Sequence, residues 1–294
     1  PKTPKPQNPF QMKTQFLLFI FLSMEINFTG STQFQNWFFQ SKEDMELQYK
    51  TNMENFDLKV KSMEELLNEQ KGQNPNMIKH LKGLDQIDAQ TGKITVMKFI
   101  NFYKHFKKPS NTENVMIKII LKMKDKCFNE NRQFNLFQCE KKTAIKILIT
   151  AITYFRRFYF KNSLLEVHPS HMSIVCLILA AKTEEYDFDR VGLEGFINLY
   201  NQTEKDKLEI STKLIEKYEI QLCKNLGFDF LVHTPLHAID YIQNTVMHSE
   251  SFHHFDVEKI RKAFDSAVKE ISILQFLSME LVFCFSPNTI ACAL

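Results

Sequence analysis

Glycine and proline are scarce. The 294-residue chain holds 7 Gly and 9 Pro, where average usage gives roughly 20 and 15. No glycine falls between Gly92 and Gly192. A β-sandwich or barrel turns about every 8–12 residues, and many of those turns need glycine. A phosphate-cradling loop needs clustered glycines, and none occur. Composition therefore argues against all-β folds, nucleotide-binding α/β folds and the enzymes built on them. It favours long helices.

Arginine is also scarce: Arg132, Arg156, Arg157, Arg190 and Arg261 are all of them. Arginine is the usual residue for gripping phosphate or reading guanine. With 37 Lys+Arg against 34 Asp+Glu the net charge is +3, too balanced for a nucleic-acid footprint. Cys127, Cys139, Cys176, Cys223, Cys284 and Cys292 form no C-x-x-C pair. That spacing argues for buried thiols in a reducing compartment, against a disulfide framework or a zinc site. No H-E-x-x-H, G-x-S-x-G or catalytic-cysteine motif occurs, so no catalytic residue, metal ligand or cofactor is expected.

Phe16 to Leu22 is an unbroken apolar run, too short for a bilayer span of about 20 residues. Ser23-Met24-Glu25 follows it without a small-residue cleavage site. Residues 1–30 are expected to lie outside the core and to be dispensable, with Met24 a candidate start.

Helical periodicity then takes over. Met45, Tyr49, Met53, Phe56, Val60, Met63 and Leu67 recur at spacings of four or three, which predicts one helix from Ser41 to about Gln70. Ser41 with Asp44 resembles a capping box, and Trp37, Phe38 and Phe39 before it tie the entry to something apolar. Residues 71–112 are polar and read as a variable insertion with at most a short helix near 94–106. From 113 onward the pattern predicts helices over about 113–129, 138–162, 172–181, 189–200 and 204–226. Pro169 suits a first helical position. Met172 to Ala181 is apolar almost all the way round, the mark of a central buried helix. Gly227 sits where a helix C-cap is needed.

After Phe230 the pattern restarts. Thr234-Pro235 opens a helix to about His248, another is predicted over 257–281, and Ser286-Pro287 opens a third. Pro287 repeats the place of Pro169, and at that offset Leu164-Leu165 falls on Val282-Phe283. A five-helix unit is followed by part of a second copy.

Three runs carry a specific resemblance: Tyr154-Phe155-Arg156-Arg157-Phe158-Tyr159, then Asn162-Ser163-Leu164-Leu165-Glu166-Val167-His168-Pro169, then Ala180-Ala181-Lys182-Thr183-Glu184-Glu185. Tyr218-Glu219 and the stretch Leu226 to Pro235 extend it. These segments resemble the cyclin family, in which two five-helix cyclin boxes stand in tandem. The resemblance covers about 31–70 and 113–294. It implies an all-α fold: tandem cyclin boxes, the second truncated, preceded by an N-terminal helix. The expected divisions are 1–30 as a non-core segment, 31–112 as N-terminal helix and insertion, 113–231 as the first box and 232–294 as an incomplete second box. Residues 1–30 have no family counterpart, and 71–112 is longer than the family pattern.

The resemblance further implies a non-enzymatic, nuclear regulatory subunit with some cytoplasmic presence. Such a subunit binds a cyclin-dependent kinase and holds it active, here of the CDK-activating, TFIIH type. A third assembly subunit and the TFIIH complex are implied as further partners; nucleic acid, membrane and cofactor are not. The alternatives are another transcription-type cyclin, such as a Mediator-associated one, and a DNA-binding general transcription factor with cyclin-like repeats. A helical scaffold without a kinase partner is a third.

Glu219 is the most informative carboxylate. It falls on the stripe of Ile215, Leu222, Cys223 and Leu226, where a charge is costly unless paired. From pattern alone an internal salt bridge with no binding role is the better account. In cyclins a Lys and a Glu at these motif positions face the kinase helix, so the resemblance implies kinase-binding roles for Lys182 and Glu219, with Glu185 beside them. His168, His171, His233, His237, His253 and His254 read as caps and surface positions. Arg156, Arg157 and Lys161 lie across from the apolar stripe of their helix and read as a solvated face. Lys104-His105-Phe106-Lys107-Lys108 reads as an exposed loop.

Overall fold

The computed structural model describes residues 28–69, 109–128, 136–137, 139–164, 166–188, 192–203, 210–248, 256, 258–266, 268 and 278–293. Among these every regular element is a helix. In chain order they are α1 (Thr32–Trp37), α2 (Lys42–Glu69), α3 (Pro109–Cys127), α4 (Lys141–Lys161), α5 (Pro169–Thr183), α6 (Gly192–Thr203), α7 (Thr212–Asn225), α8 (Pro235–His248), α9 (Met279–Phe283) and α10 (Pro287–Ala293). Residues 258–266 are also helical. The apolar run at 16–22, the insertion helix near 94–106, the 104–108 basic run and His253-His254 lie outside the described residues.

Contacts divide the chain into two compact units: Glu43–Phe230, and the residues up to Lys42 with Leu231–Leu294. In the Glu43–Phe230 unit, α5 is the central helix, as its all-round apolar sequence predicts. Met172 and Ile174 to Ala181 are buried, and α3, α4 and α7 pack against it. Burying one such Leu or Ile side chain contributes about 1.5–3 kcal/mol. Pro169 occupies the first turn, and His168 Nδ1 accepts a 3.2 Å hydrogen bond from the Ser170 N–H. That bond satisfies a donor the helix leaves over.

The neighbours of α5 follow from their own patterns. In α3, Met116, Ile119, Ile120, Met123 and Cys127 are buried. Its described part runs from Pro109, earlier than periodicity placed it. Phe137, Phe188 and Phe196 hold α6 through ring contacts of 5.4 and 5.7 Å. The first described turn of α7 is capped by Ser211, whose hydroxyl accepts from the Leu214 N–H. Residues 204–209, where the spacing also predicts helix, lie outside the described residues.

The end of α7 closes as a Schellman motif. Gly227 takes φ 63°, its N–H donates to Lys224 O at 3.1 Å, and the Phe228 N–H donates to Cys223 O at 3.0 Å. Phe228 itself has φ 58°, a left-handed conformation that bulky residues rarely adopt.

In the other unit, α8 packs on α10. Phe28, Phe34 and Phe38 form an aromatic cluster with the His233 ring at 6.1 Å from Phe28. Gln33 fixes the His233 backbone, accepting from its N–H at 2.7 Å and donating to its carbonyl at 3.5 Å. Trp37 is buried and the Phe39 N–H donates to Phe283 O at 2.8 Å, so the aromatic entry is tied down. The helix predicted over 257–281 does not run unbroken. Ser278 is extended (φ −136°, ψ 132°) and its hydroxyl accepts from the Glu280 N–H, capping a new helix. A serine two residues before a glutamate offers the backbone this local alternative.

Candidate functional site

Lys182 lies in the last turn of α5 and Glu219 near the middle of α7. Because these helices pack side by side, the two charges meet: Lys182 Nζ is 2.5 Å from Glu219 Oε1. The lysine side chain is 44% exposed and the glutamate 18%. Glu219 is thus neither fully buried nor free in solvent. Cys223, one turn on, is half-buried beside this pair. Desolvation raises its thiol pKa, the Glu219 charge adds to the rise, and Lys182 opposes it.

Glu185 follows α5 in the left-handed region, φ 56°, and is exposed. Its neighbour Glu184 points inward. The Thr150 hydroxyl donates to Glu184 Oε1 at 2.7 Å, and Lys146 Nζ lies 2.5 Å from Glu184 Oε2. Two adjacent carboxylates of like sequence context therefore differ: Glu184 is held by α4 and Glu185 is open.

Two large apolar residues are exposed on α7 and just after it, Ile220 next to Glu219 in sequence and Phe228 in the turn that follows. Ile220 is 58% exposed and Phe228 is 66% exposed. The Phe228 ring meets Phe230 at 6.1 Å, and Phe230 meets Tyr154 at 6.4 Å. The Tyr154 hydroxyl donates to Phe230 O at 2.6 Å and lies 3.2 Å from Thr183 Oγ1, next to Lys182. These contacts join the 228–230 turn to the end of α5. Sequence reasoning missed Ile220 and Phe228. The available signal was Ile220 lying off the Ile215, Leu222, Leu226 stripe, and an aromatic directly after a capping glycine.

Arg156 and Arg157 are buried, which overturns the solvated-face reading. The cause is α4 itself, whose residues from Ile147 to Phe160 are buried on every side. Arg156 Nη1 donates to both oxygens of Glu113 at 2.8 and 3.0 Å. Burial lowers its pKa and Glu113 opposes that shift. Arg157 Nη1 donates to Asp229 O at 3.3 Å. Burial lowers its pKa to about 10, against the pull of Asp229 and Tyr154. Neither guanidinium is presented to solvent.

His168 is a helix cap, as its position predicts, and His237 is exposed. Among the described residues no three His, Cys, Asp or Glu side chains are placed to hold a metal ion. All six cysteines are thiols; Cys127 and Cys176 are buried, Cys139, Cys223 and Cys284 half-buried, and Cys292 exposed.

Residues 108–231 match the family "Cyclin, N-terminal domain". Curated relatives include Cyclin-H1-1 of Arabidopsis thaliana, 28% identical over 148 residues, which are 50% of this chain and 40% of that protein. Cyclin-H of Xenopus laevis is 27% identical over 165 residues, 56% of this chain and 48% of that protein. The matched region thus spans less than half the length of either relative. A chain of the Chaetomium thermophilum CAK complex bound to ATP-gamma-S is similar in fold, with TM-score 0.61 at 16% identity, covering 92% of this chain and 69% of that one.

Proposed function

We propose that this chain, which carries a cyclin N-terminal domain over residues 108–231, is a regulatory subunit that binds and activates a cyclin-dependent kinase of the CDK-activating, TFIIH type. The cyclin-H relatives and the fold shared with a CAK-complex chain support this reading. The observation that carries it is local. Lys182 and Glu219 form a charged pair on a partly open surface, and Glu185 just after α5, Ile220 on α7 and Phe228 just after it are exposed. Apolar residues around a few fixed charges are what a protein-binding surface needs: the first supply desolvation, the second register.

Lys182, Glu219 and Glu185 are the residues assigned to kinase contact. Residues 232–294 are read as the beginning of a second cyclin box. The chain performs no chemistry of its own. It acts as a protein ligand that favours the active kinase conformation because it binds that conformation better. Its place of work is the nucleus, with the kinase, an assembly subunit and TFIIH as partners. Burial of Arg156 and Arg157 speaks against the DNA-binding alternative, since it removes two of the five arginines from any phosphate-gripping face.

Affinity purification of the tagged chain from its source cells tests the reading. The expected result is one co-purifying cyclin-dependent kinase whose phosphotransfer activity requires the chain. Retention on DNA that is lost with added salt, without a kinase, contradicts it.

A further inference from the structure

One face of α4 carries a run of polar side chains that passes from the half-exposed Lys146 into an otherwise apolar core. Lys146, Thr150, Tyr154 and Arg157 are spaced by four, four and three residues, so they lie along one side of the helix. Lys146 and Thr150 reach one place, Arg157 reaches a second, and Tyr154 reaches both. Lys146 Nζ pairs with Glu184 Oε2, and Thr150 Oγ1 donates to Glu184 Oε1. Tyr154 Oη lies 3.2 Å from Thr183 Oγ1 and donates to Phe230 O. Arg157 Nη1 donates to Asp229 O. The first place is the C-terminal end of α5, and the second is the turn that follows α7.

We propose that this ladder is the positioning element of the kinase-facing surface: it fixes the end of α5 and the 228–230 turn in one arrangement, so that Lys182, Glu219, Glu185 and Phe228 meet the partner together. The proposal rests on the kinase-binding reading above.

Three physical facts support it. Both segments end a helix, where backbone groups lose their regular partners. Both carry a non-glycine residue in the left-handed region, Glu185 at φ 56° and Phe228 at φ 58°. Such conformations persist only where surrounding contacts over-determine them. Tyr154 is the one residue of the ladder that touches both places, and it is fully buried. It couples them because its single hydroxyl serves a side chain of one and a carbonyl of the other. A surface preset in this way loses less freedom on binding than one that must order itself.

The test uses the whole chain with Tyr154→Phe, which keeps the ring and removes the hydroxyl, and Thr150→Val, which keeps the shape. Amide hydrogen exchange reads the free protein. Tyr154→Phe is expected to speed exchange about tenfold at Tyr186 and at Asp229 together, leaving Ile174 to Leu179 protected. Thr150→Val is expected to speed it at Glu184 and Tyr186 alone. Affinity for the co-purifying kinase is expected to fall about fivefold or more with Tyr154→Phe, and by less than about twofold when Lys182→Ala is already present. That loss of additivity is something a general destabilisation does not produce.

If Tyr154→Phe does not fold, Thr150→Val carries the same comparison at the α5 end. Unchanged exchange at both places overturns the ladder. Faster exchange with unchanged affinity, while Lys182→Ala still weakens binding, overturns its positioning role alone. Unchanged affinity of Lys182→Ala overturns the kinase-facing reading itself, and the positioning role with it.

Discussion

Lys182 and Glu219, 37 residues apart in sequence, are brought to 2.5 Å by the packing of α5 on α7, and they remain partly open to solvent. With its lysine 44% exposed, the pair adds little to folding; about 0–1 kcal/mol is typical of pairs open to solvent. Its geometry therefore has little purpose in the free chain beyond presenting two charges at one spot. The kinase-binding proposal gives it one. Removing either side chain is expected to leave thermal stability nearly unchanged while weakening the partner.

Arg156 and Glu113 make the opposite case. The guanidinium is fully buried and its carboxylate partner is 32% exposed. Arg156→Ala leaves Glu113 without the guanidinium nitrogen that donates to both its oxygens and opens a large void. A loss of about 3 kcal/mol is expected, within the range for breaking a buried pair. Urea unfolding measures it. A loss under about 1 kcal/mol contradicts the buried-pair account and restores the solvated face that the sequence pattern implied.

That mistaken face shows where sequence reading failed. The stripe argument treats a helix as having a wet side, and α4 has none: Tyr154, Phe155, Phe158, Tyr159 and Phe160 surround the two arginines and are all buried. A chain this rich in aromatics around a charge was the available signal. By contrast α5 was legible because it is apolar all round, and Pro169 and Gly227 were legible because proline and glycine restrict the backbone directly. The meeting of Lys182 with Glu219 was legible only through the family resemblance. Periodicity places each on its own helix but does not say which helices pack together. The break at Ser278 was hidden by the apolar residues on both sides of it.

Phe228 is strained and exposed at once. A glycine there relieves the left-handed conformation, which costs other residues about 1–2 kcal/mol, though it also gives up the ring contact with Phe230. Phe228→Gly is expected to leave the folded chain at least as stable, within about 0.5 kcal/mol, and to weaken kinase binding. Paired thermal melts and binding titrations check this. Equal binding with lower stability assigns Phe228 to folding alone.

Tyr154 gives the fold an alkaline signature. Burial pushes its phenol up from an ordinary 10 to about 12. The unfolded chain therefore loses that proton first as pH rises. Between pH 10 and 12 the folded state holds the extra proton, so this group's contribution is full below pH 10 and declines towards pH 12. The buried guanidinium of Arg157, lowered to about 10, acts in the opposite sense over the same range. The comparison to make is therefore wild type against Tyr154→Phe. The wild type is expected to lose stability more steeply with pH, by up to about 1.4 kcal/mol per pH unit. Parallel curves contradict a buried, hydrogen-bonded phenol.

The central claim is that the Lys182–Glu219 surface is where the kinase binds. The most direct measurement is the dissociation constant of the co-purifying kinase for the wild-type chain, Lys182→Ala and Glu219→Ala, each with helicity confirmed by circular dichroism. Both variants are expected to bind at least about tenfold more weakly, a loss of about 1.4 kcal/mol or more, with unfolding midpoints close to wild type. Wild-type affinity in both, with the fold intact, contradicts the claim.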